Sequence, residues 1–419
     1  MVDRLPPVHH CGTRVTRMTA LSRDEVPGPA VFDFDTVIDR RGRAAKKWDA
    51  LADQFGIHDA DAIPFWVADM EFRPPPAVGA ALQEAVDHGI FGYHTSGGPH
   101  HDAVANWMQR RHGWTVDTDW IVDTPGIVAA LHVSVRAFCQ PGGNVVIQTP
   151  LYHPFAWSIR NSGCEVVNAP LSITDGRYTF DLAALEASID DQTGVVMLCS
   201  PHNPIGQVWT ADELAGFLDT CHRHDVVIVV DEIHHDLVFA PHEHTVAAML
   251  DNADLSRIVT LTAASKTFNL AGLKSGNVII ADPDLRARYV EAQENGGTFS
   301  TNMFGPMAAT AAYTHGDEWL DALLPYLVAN RDLMCDMLAQ ELPAVTCRPV
   351  EGTYLAWLDF NGTGLTQAEI TERARHRARL ALNDGPLFGA GGEGFMRMNF
   401  ACPQSMLVTG LERLIEAFA

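Results

Sequence analysis

Between Pro64 and about Ile280 the chain alternates short apolar runs with longer segments whose apolar residues recur every three or four positions. The runs are Asn144–Thr149, Gly194–Ser200, Val226–Glu232, Arg257–Ala263 and Asn277–Ala281. Each is rich in β-branched residues, apolar on both faces and closed by turn residues, as strands buried in a parallel sheet are. Ala211–His224 has helical periodicity, and Thr210 with Glu213 three residues on is the signature of a capping box at its start. This alternation predicts an α/β fold, a mostly parallel sheet with helices on both faces.

After about Gly297 the texture changes. Glu318–Leu342 reads as one long amphipathic helix, interrupted or kinked near Pro325. A strand-like Gly352–Phe360, a charged helix over Thr366–Arg379, a second strand-like Gly394–Ala401 and a last helix from Gln404 follow. That mixture predicts a smaller α+β domain. The expected organisation is a loosely ordered extension over 1–29, a segment over 30–60 packing with the small domain, a large domain over 61–297 and the small domain over 298–419.

Composition narrows the function classes. The 419 residues are 47% hydrophobic, enough for a large core, and carry a formal charge of −23. Such acidity repels phosphate backbones and anionic bilayers, which argues against nucleic-acid and membrane partners. No apolar run approaches the ~20 residues of a membrane span. Arg4, Arg14 and Arg17 are not followed by an apolar stretch, which argues against a secretory signal, and Met18 is an alternative start to Met1. The eight cysteines are scattered without a CxxC pair or a disulfide-scaffold spacing, in keeping with a reducing cytoplasm.

Ligands of open α/β sheets bind beyond the carboxyl ends of the strands. Polar residues gather at three such ends: Ser200–Gly206 after one run, Asp231 closing the next, and Ser265–Gly276 after a third. Singly each has an ordinary explanation. Asn203 before Pro204 suits a turn, Asp231 a helix cap, and Lys266 a solvated surface. Jointly they converge on one crevice.

The strings SPHNPIG, VVDEIHHDL and TAASKTFNLAGLK, with 28 residues from Asn203 to Asp231 and 35 from Asp231 to Lys266, resemble the aspartate-aminotransferase fold family of pyridoxal-phosphate enzymes (fold type I). PFWVADMEF, GIFGYH, PLYHPF, DEIHHDLVF, EGTYLAWLDF and GEGFMRMNFACP resemble more closely the MalY/PatB-type cystathionine β-lyases, or C–S lyases, from about Val31 to the C-terminus. The resemblance implies that 61–297 is the cofactor-binding domain and that Lys266 holds pyridoxal 5'-phosphate as a Schiff base, then serves as the base at the substrate Cα. It assigns Asp231 to the pyridine nitrogen, Asn203 to the ring 3'-oxygen and Tyr152 to the ring face. Arg397 is assigned to the substrate α-carboxylate, with Ala68, Asn383 and Tyr354 nearby. Gly126, Ile127 and Val128 at a helix start, with Ser265, are expected at the phosphate. Tyr93 is expected to reach the phosphate of a partner subunit, which implies a homodimer.

Some positions depart from the family pattern. Lys274 stands where an arginine or glutamine is usual, Ala263 and Ala264 replace polar or proline residues, and His234 takes a position that is often tyrosine. His153 and His202, beside expected site residues, read as hydrogen-bonded structural histidines. The glycine-rich Gly389–Phe395 lacks the strand–turn–helix setting of a dinucleotide fingerprint, and no HExxH occurs. The paired histidines, His234–His235 among them, show no metal-ligand spacing, so no metal is expected. The implied reaction is β-elimination of a thiol from cystathionine or a related cysteine S-conjugate. The same residues serve an aminotransferase, which is the alternative; a purely regulatory protein is opposed by the intact Lys266–Asp231 pair. Neither Tyr354 nor Phe388 defines the leaving group.

Overall fold

Apolar runs too short to shield themselves are stacked edge to edge at the centre of the molecule. The computed structural model describes residues 32–95 and 97–419; the expected extension over 1–29 lies outside them. Seven strands form the main sheet: β1 (Ile121–Thr124), β2 (Asn144–Ile147), β3 (Glu165–Asn168), β4 (Thr193–Cys199), β5 (Val227–Asp231), β6 (Ile258–Thr262) and β7 (Gly276–Ile279). Their order across the sheet is β1-β7-β6-β5-β4-β2-β3. The pairings among β2 to β6 are parallel, but β7 runs antiparallel to both β1 and β6. The expectation that Asn277–Ala281 joins a parallel array is therefore corrected. The thirteen residues 263–275 between β6 and β7 hold only the four-residue helix Ala264–Thr267 and one 3-10 turn, not a helix long enough to carry the chain back along the sheet as a parallel neighbour requires.

The helix Ile127–Phe138 covers one face of this sheet. Its Ala130, Leu131, Val133 and Val135 belong to the same buried cluster as Val145, Val195, Val229 and Val259. The capping box at Thr210 and Glu213 is formed, and the helix runs over Ala211–His222. A second sheet, ordered β8-β9-β11-β10, comprises β8 (Thr346–Cys347), β9 (Leu355–Asp359), β10 (Asn383–Asp384) and β11 (Phe395–Asn399). The long helix is continuous over Asp317–Glu341, with Pro325 inside it. The predicted interruption is absent because Pro325 and Asp321, whose carbonyl the proline leaves unpaired, both lie on the exposed face. The charged helix starts on a capping box at Thr366 and Glu369 and widens to a π turn over Arg373–Arg377.

Asp33–Ala419 forms one compact unit. Ile63–Pro64 pairs parallel with Leu380–Ala381, and Phe34 packs on Trp319 and Tyr326, so the early segment is fastened to later ones. Lys47 is buried between Asp69 and Glu71, where Arg40 adds a second cation. Cys335 and Cys347 are paired across a Cα–Cα distance of 5.1 Å, the one disulfide among the described residues. The scattered spacing did not suggest it, because the partners lie on different elements, the long helix and β8. Among the described residues no helix is long and apolar enough to cross a membrane.

Candidate active site

Parallel strands in register bring their carboxyl ends to one edge of the sheet. Cys199 of β4 lies opposite Asp231 of β5, which lies opposite Leu261 of β6. The segments that follow are thereby neighbours, and with them Asn203, Asp231 and Lys266. Since β1 runs the same way as β6, the start of the helix Ile127–Phe138 opens at that edge too. Gly126 precedes it at φ +119°, a conformation open to glycine.

Lys266 sits in the short helix Ala264–Thr267, and its Nζ donates to the carbonyl of Ala68 at 2.6 Å. Burial lowers its pKa to about 8, partly opposed by the Asp69 and Asp231 carboxylates. Asp231 is 4% exposed, and its carboxylate accepts from the Ile233 amide at 3.1 Å. No lysine, arginine or histidine lies within 4 Å of it among the described residues, and burial raises its pKa to about 7. A cationic partner brought against it would relieve that cost.

Arg397 on β11 is buried. Its Nη1 donates to Asn203 Oδ1 at 2.9 Å, and its Nη2 donates to Asn383 Oδ1 at 2.7 Å and to the Trp66 carbonyl at 2.8 Å. The Nε is buried without a hydrogen-bond partner, and the guanidinium lies 4.9 Å from the Phe388 ring. Burial lowers its pKa to about 10, leaving it a cation at neutral pH. The backbone of Tyr152 donates to the Asn203 carbonyl at 3.1 Å, which ties the aromatic position to the asparagine turn. Tyr354 donates from its hydroxyl to the Ala68 carbonyl at 2.9 Å. His234 is buried, with its Nδ1 unpartnered, and burial, then Lys266 and Arg397, hold its pKa well below the usual histidine value.

Other expected residues are less tightly gathered. Ser265 is half-buried beside Lys266, Lys274 takes a left-handed conformation at φ +50°, and Val128 is 40% exposed. Tyr93 is fully exposed. The His202 ring bonds the Pro150 carbonyl at 2.8 Å, as a structural histidine would. His153 Nδ1 instead has no hydrogen-bond partner, and the ring packs on Tyr152 and Trp157.

Sequence reasoning missed the groups that act through the backbone. Asn269, at φ +59°, accepts from the Met70 amide and donates to the Met70 and Phe72 carbonyls. It thereby fastens the segment of Ala68 to the turn that carries Lys266. An asparagine in a left-handed turn was the available signal. The Trp66 carbonyl on Arg397 left no signal, since any residue has one.

These residues fit pyridoxal 5'-phosphate. A buried carboxylate lacking a cation suits the protonated ring nitrogen, an amine with a lowered pKa suits the aldehyde, and a helix start opened by glycine suits the phosphate.

Residues 61–414 match the family model of class I and II aminotransferases. The chain is 42% identical to cystathionine beta-lyase PatB of Bacillus subtilis over 93% of its own length and all of that protein. It is 33% identical to protein MalY of Escherichia coli over 92% and 99% of the two chains. Cystalysin of Treponema denticola, whose crystal structure contains pyridoxal 5'-phosphate, superposes with a TM-score of 0.89 at 36% identity, over 93% of this chain and 99% of that one. With its lysine, aspartate, asparagine and arginine gathered at one sheet edge, the chain belongs to the class I and II aminotransferase family, in the branch that contains PatB and MalY.

Proposed function

We infer that this is a pyridoxal-phosphate-dependent C–S β-lyase, cleaving cystathionine or a related cysteine S-conjugate to a thiol, pyruvate and ammonia. The observation that carries the reading is the lysine amine with its pKa at about 8, set among Asp231, Asn203 and Arg397. The 42% identity to a cystathionine beta-lyase sets elimination ahead of transamination. When bound, pyridoxal phosphate supplies an electron sink for negative charge at the substrate Cα.

The chain's own residues do the rest. Arg397 binds the substrate α-carboxylate through its two Nη donors, exchanging the amide oxygens of Asn203 and Asn383 for a charged partner. Lys266 holds the cofactor through Nζ and, once released, takes the Cα proton; near pH 8 a large fraction of the amine is neutral and competent as a base. Asp231 holds a proton at the ring nitrogen. Tyr152, Asn203 and His234 orient the ring, the His234 ring lying 6.1 Å from that of Tyr354, and Tyr354 fixes the Ala68 carbonyl on which Lys266 rests. Gly126, Ile127, Val128, Ser265 and Lys274 serve the phosphate.

The active form is a homodimer in which Tyr93 reaches the partner's phosphate. Support comes from a surface strip where Val86, Ile90, Phe91, Tyr93 and Phe299 are all more than half exposed; Phe91 and Phe304 are in ring contact and His94 bonds Thr301, so the two segments adjoin. The protein is read as cytoplasmic: of the seven described cysteines five are buried free thiols, against the single pair Cys335 and Cys347.

The test is incubation with L-cystathionine in the absence of any 2-oxo acid. Pyruvate and homocysteine should appear in equal amounts. Failure to form them, with amino transfer once a 2-oxo acid is added, would replace the lyase by an aminotransferase.

A further inference from the structure

Behind the turn that carries Lys266 lies a second buried cluster that the reaction does not use. His112 ends the helix Pro99–His112; Glu232, His235 and Asp236 follow β5, and His244 lies on the loop beyond. The Asp236 carboxylate meets His112 Nε2 at 2.8 Å through Oδ1 and His235 Nε2 at 3.2 Å through Oδ2. The His112 ring lies 4.6 Å from that of His235 and 5.7 Å from that of His244. We propose that His112, His235 and Asp236 form a binding site for a divalent transition-metal ion of the zinc type.

The tautomer of His235 carries the argument. Its Nδ1 lies 2.5 Å from the Glu232 carbonyl, an oxygen that can only accept, so Nδ1 bears a hydrogen. In the neutral ring Nε2 then presents a lone pair. That nitrogen is buried, has no hydrogen-bond partner and faces a carboxylate oxygen. Two acceptors facing each other at such a distance require a positive charge between them, supplied either by a metal ion or by a proton on Nε2. A backbone carbonyl that fixes the far nitrogen is also the usual outer support of a metal-bound histidine.

Charge and spacing agree. Asp236 and Glu232 are both buried, and among the described residues neither has a lysine or arginine within 4 Å; their ionic partners are histidines. One divalent ion would balance two carboxylates without requiring imidazolium rings in the core. Zinc binds imidazole nitrogen and carboxylate oxygen at about 2.0–2.2 Å in a tetrahedron, which spaces ligand atoms by roughly 3.3 Å. The 3.2 Å separation of His235 and Asp236 is close to that, the 2.8 Å contact of His112 is a hydrogen bond that would open by about half an ångström as the ion replaces its proton, and all three ligand atoms lie within 4.8 Å of one another. Trp107 Nε1 and Thr267 Oγ1 donate to the carboxylate at 3.0 and 2.6 Å, as outer partners of a ligating carboxylate do. Two imidazoles and a single carboxylate select zinc, cobalt or nickel over calcium and magnesium. The earlier expectation of no metal rested on neighbours in sequence, whereas His112 and His235 come from elements far apart in the chain.

The role would be structural: the ion clamps a helix to the turn after β5 and, through Asp236 and Thr267, steadies the residue next to Lys266. The competing occupant is a proton. Burial opposes it, but the Asp236 carboxylate outweighs burial and raises the pKa of His235.

The experiment uses cofactor-loaded protein, dialysed against a chelator and then equilibrated with Zn²⁺ or Co²⁺. The metal is quantified, and the cobalt form is scanned for visible ligand-field bands. Wild type should retain one ion per chain, show tetrahedral cobalt bands and gain thermal stability on zinc addition. His112→Gln and His235→Asn, checked for fold by cofactor absorbance and far-ultraviolet circular dichroism, should lose all three. Wild type that takes up no ion, or uptake unchanged in both variants, overturns the site and leaves His235 as an imidazolium. Should a variant fail to fold, the wild-type stoichiometry and cobalt spectrum still decide.

Discussion

Replacing Arg397 with lysine keeps a positive charge near the same place and removes the planar fork. In the structure that fork makes hydrogen bonds of 2.7 to 2.9 Å to Asn203, Asn383 and the Trp66 carbonyl. A substrate carboxylate would take the two Nη donors in a parallel pair, and a lysine amine replaces that pair by a single point contact. One charge-assisted hydrogen bond is worth about 1.5–3 kcal/mol, so kcat/KM for L-cystathionine should fall roughly 10- to 150-fold. Much of the loss should lie in KM, since the carboxylate is gripped before and during reaction. A control separates grip from general damage: the amine analogue that lacks the α-carboxylate, its binding followed by the absorbance of the bound cofactor. Its affinity should be the same for wild type and Arg397→Lys. A lysine variant within twofold of wild type, or an equal loss for the carboxylate-free amine, would refute the assignment.

Three further outcomes follow from the geometry. Asp231 has a folded-state pKa of about 7 against a usual 3.8, so the folded chain binds the proton more tightly; in cofactor-free protein its favourable contribution is full below about pH 4 and is lost as pH rises through 7. Asp231→Asn should flatten the fall of Tm across that window while lowering kcat by orders of magnitude in the loaded enzyme, and a Tm–pH curve parallel to wild type would contradict the burial argument. Gly206, at φ +68°, would place a Cβ 2.4 Å from Val350 Cγ1, so Gly206→Ala should cost about 1–3 kcal/mol in urea unfolding, and an unchanged midpoint would show that the loop yields freely. Lys266→Ala should abolish thiol release and the visible absorbance of the covalently held cofactor, whereas retention of that absorbance would place the cofactor elsewhere.

The strands that could be read were those with apolar residues on both faces, since a buried sheet leaves no polar side to confuse the pattern. Direction was not readable: the string at β7 resembles its neighbours, and what goes with its reversed sense is a connection that holds no long helix. Ile121–Thr124 and Glu165–Asn168 escaped notice because Asp123 in one, and Glu165 and Asn168 in the other, leave only two adjacent apolar residues in each. In the site, the side chains at strand ends were visible as a set. The Ala68 and Trp66 carbonyls were not, since a backbone acceptor has no residue type to betray it. The pairing of His112 with His235 was hidden for another reason, as ligand spacing along the chain says nothing about two elements that fold together.

The double use of the Ala68 carbonyl, which receives both Lys266 and Tyr354, sets an evolutionary constraint of an unusual kind. What the carbonyl requires is the length of a segment, since every residue carries a carbonyl. The stretch is pinned upstream by the pairing of Ile63 and Pro64 with Leu380 and Ala381 and downstream by Asn269 on Met70. The gain or loss of one residue between the pins would carry the carbonyl away from the lysine. The segment thus acts as a ruler for the distance between the chain's early residues and its reactive amine.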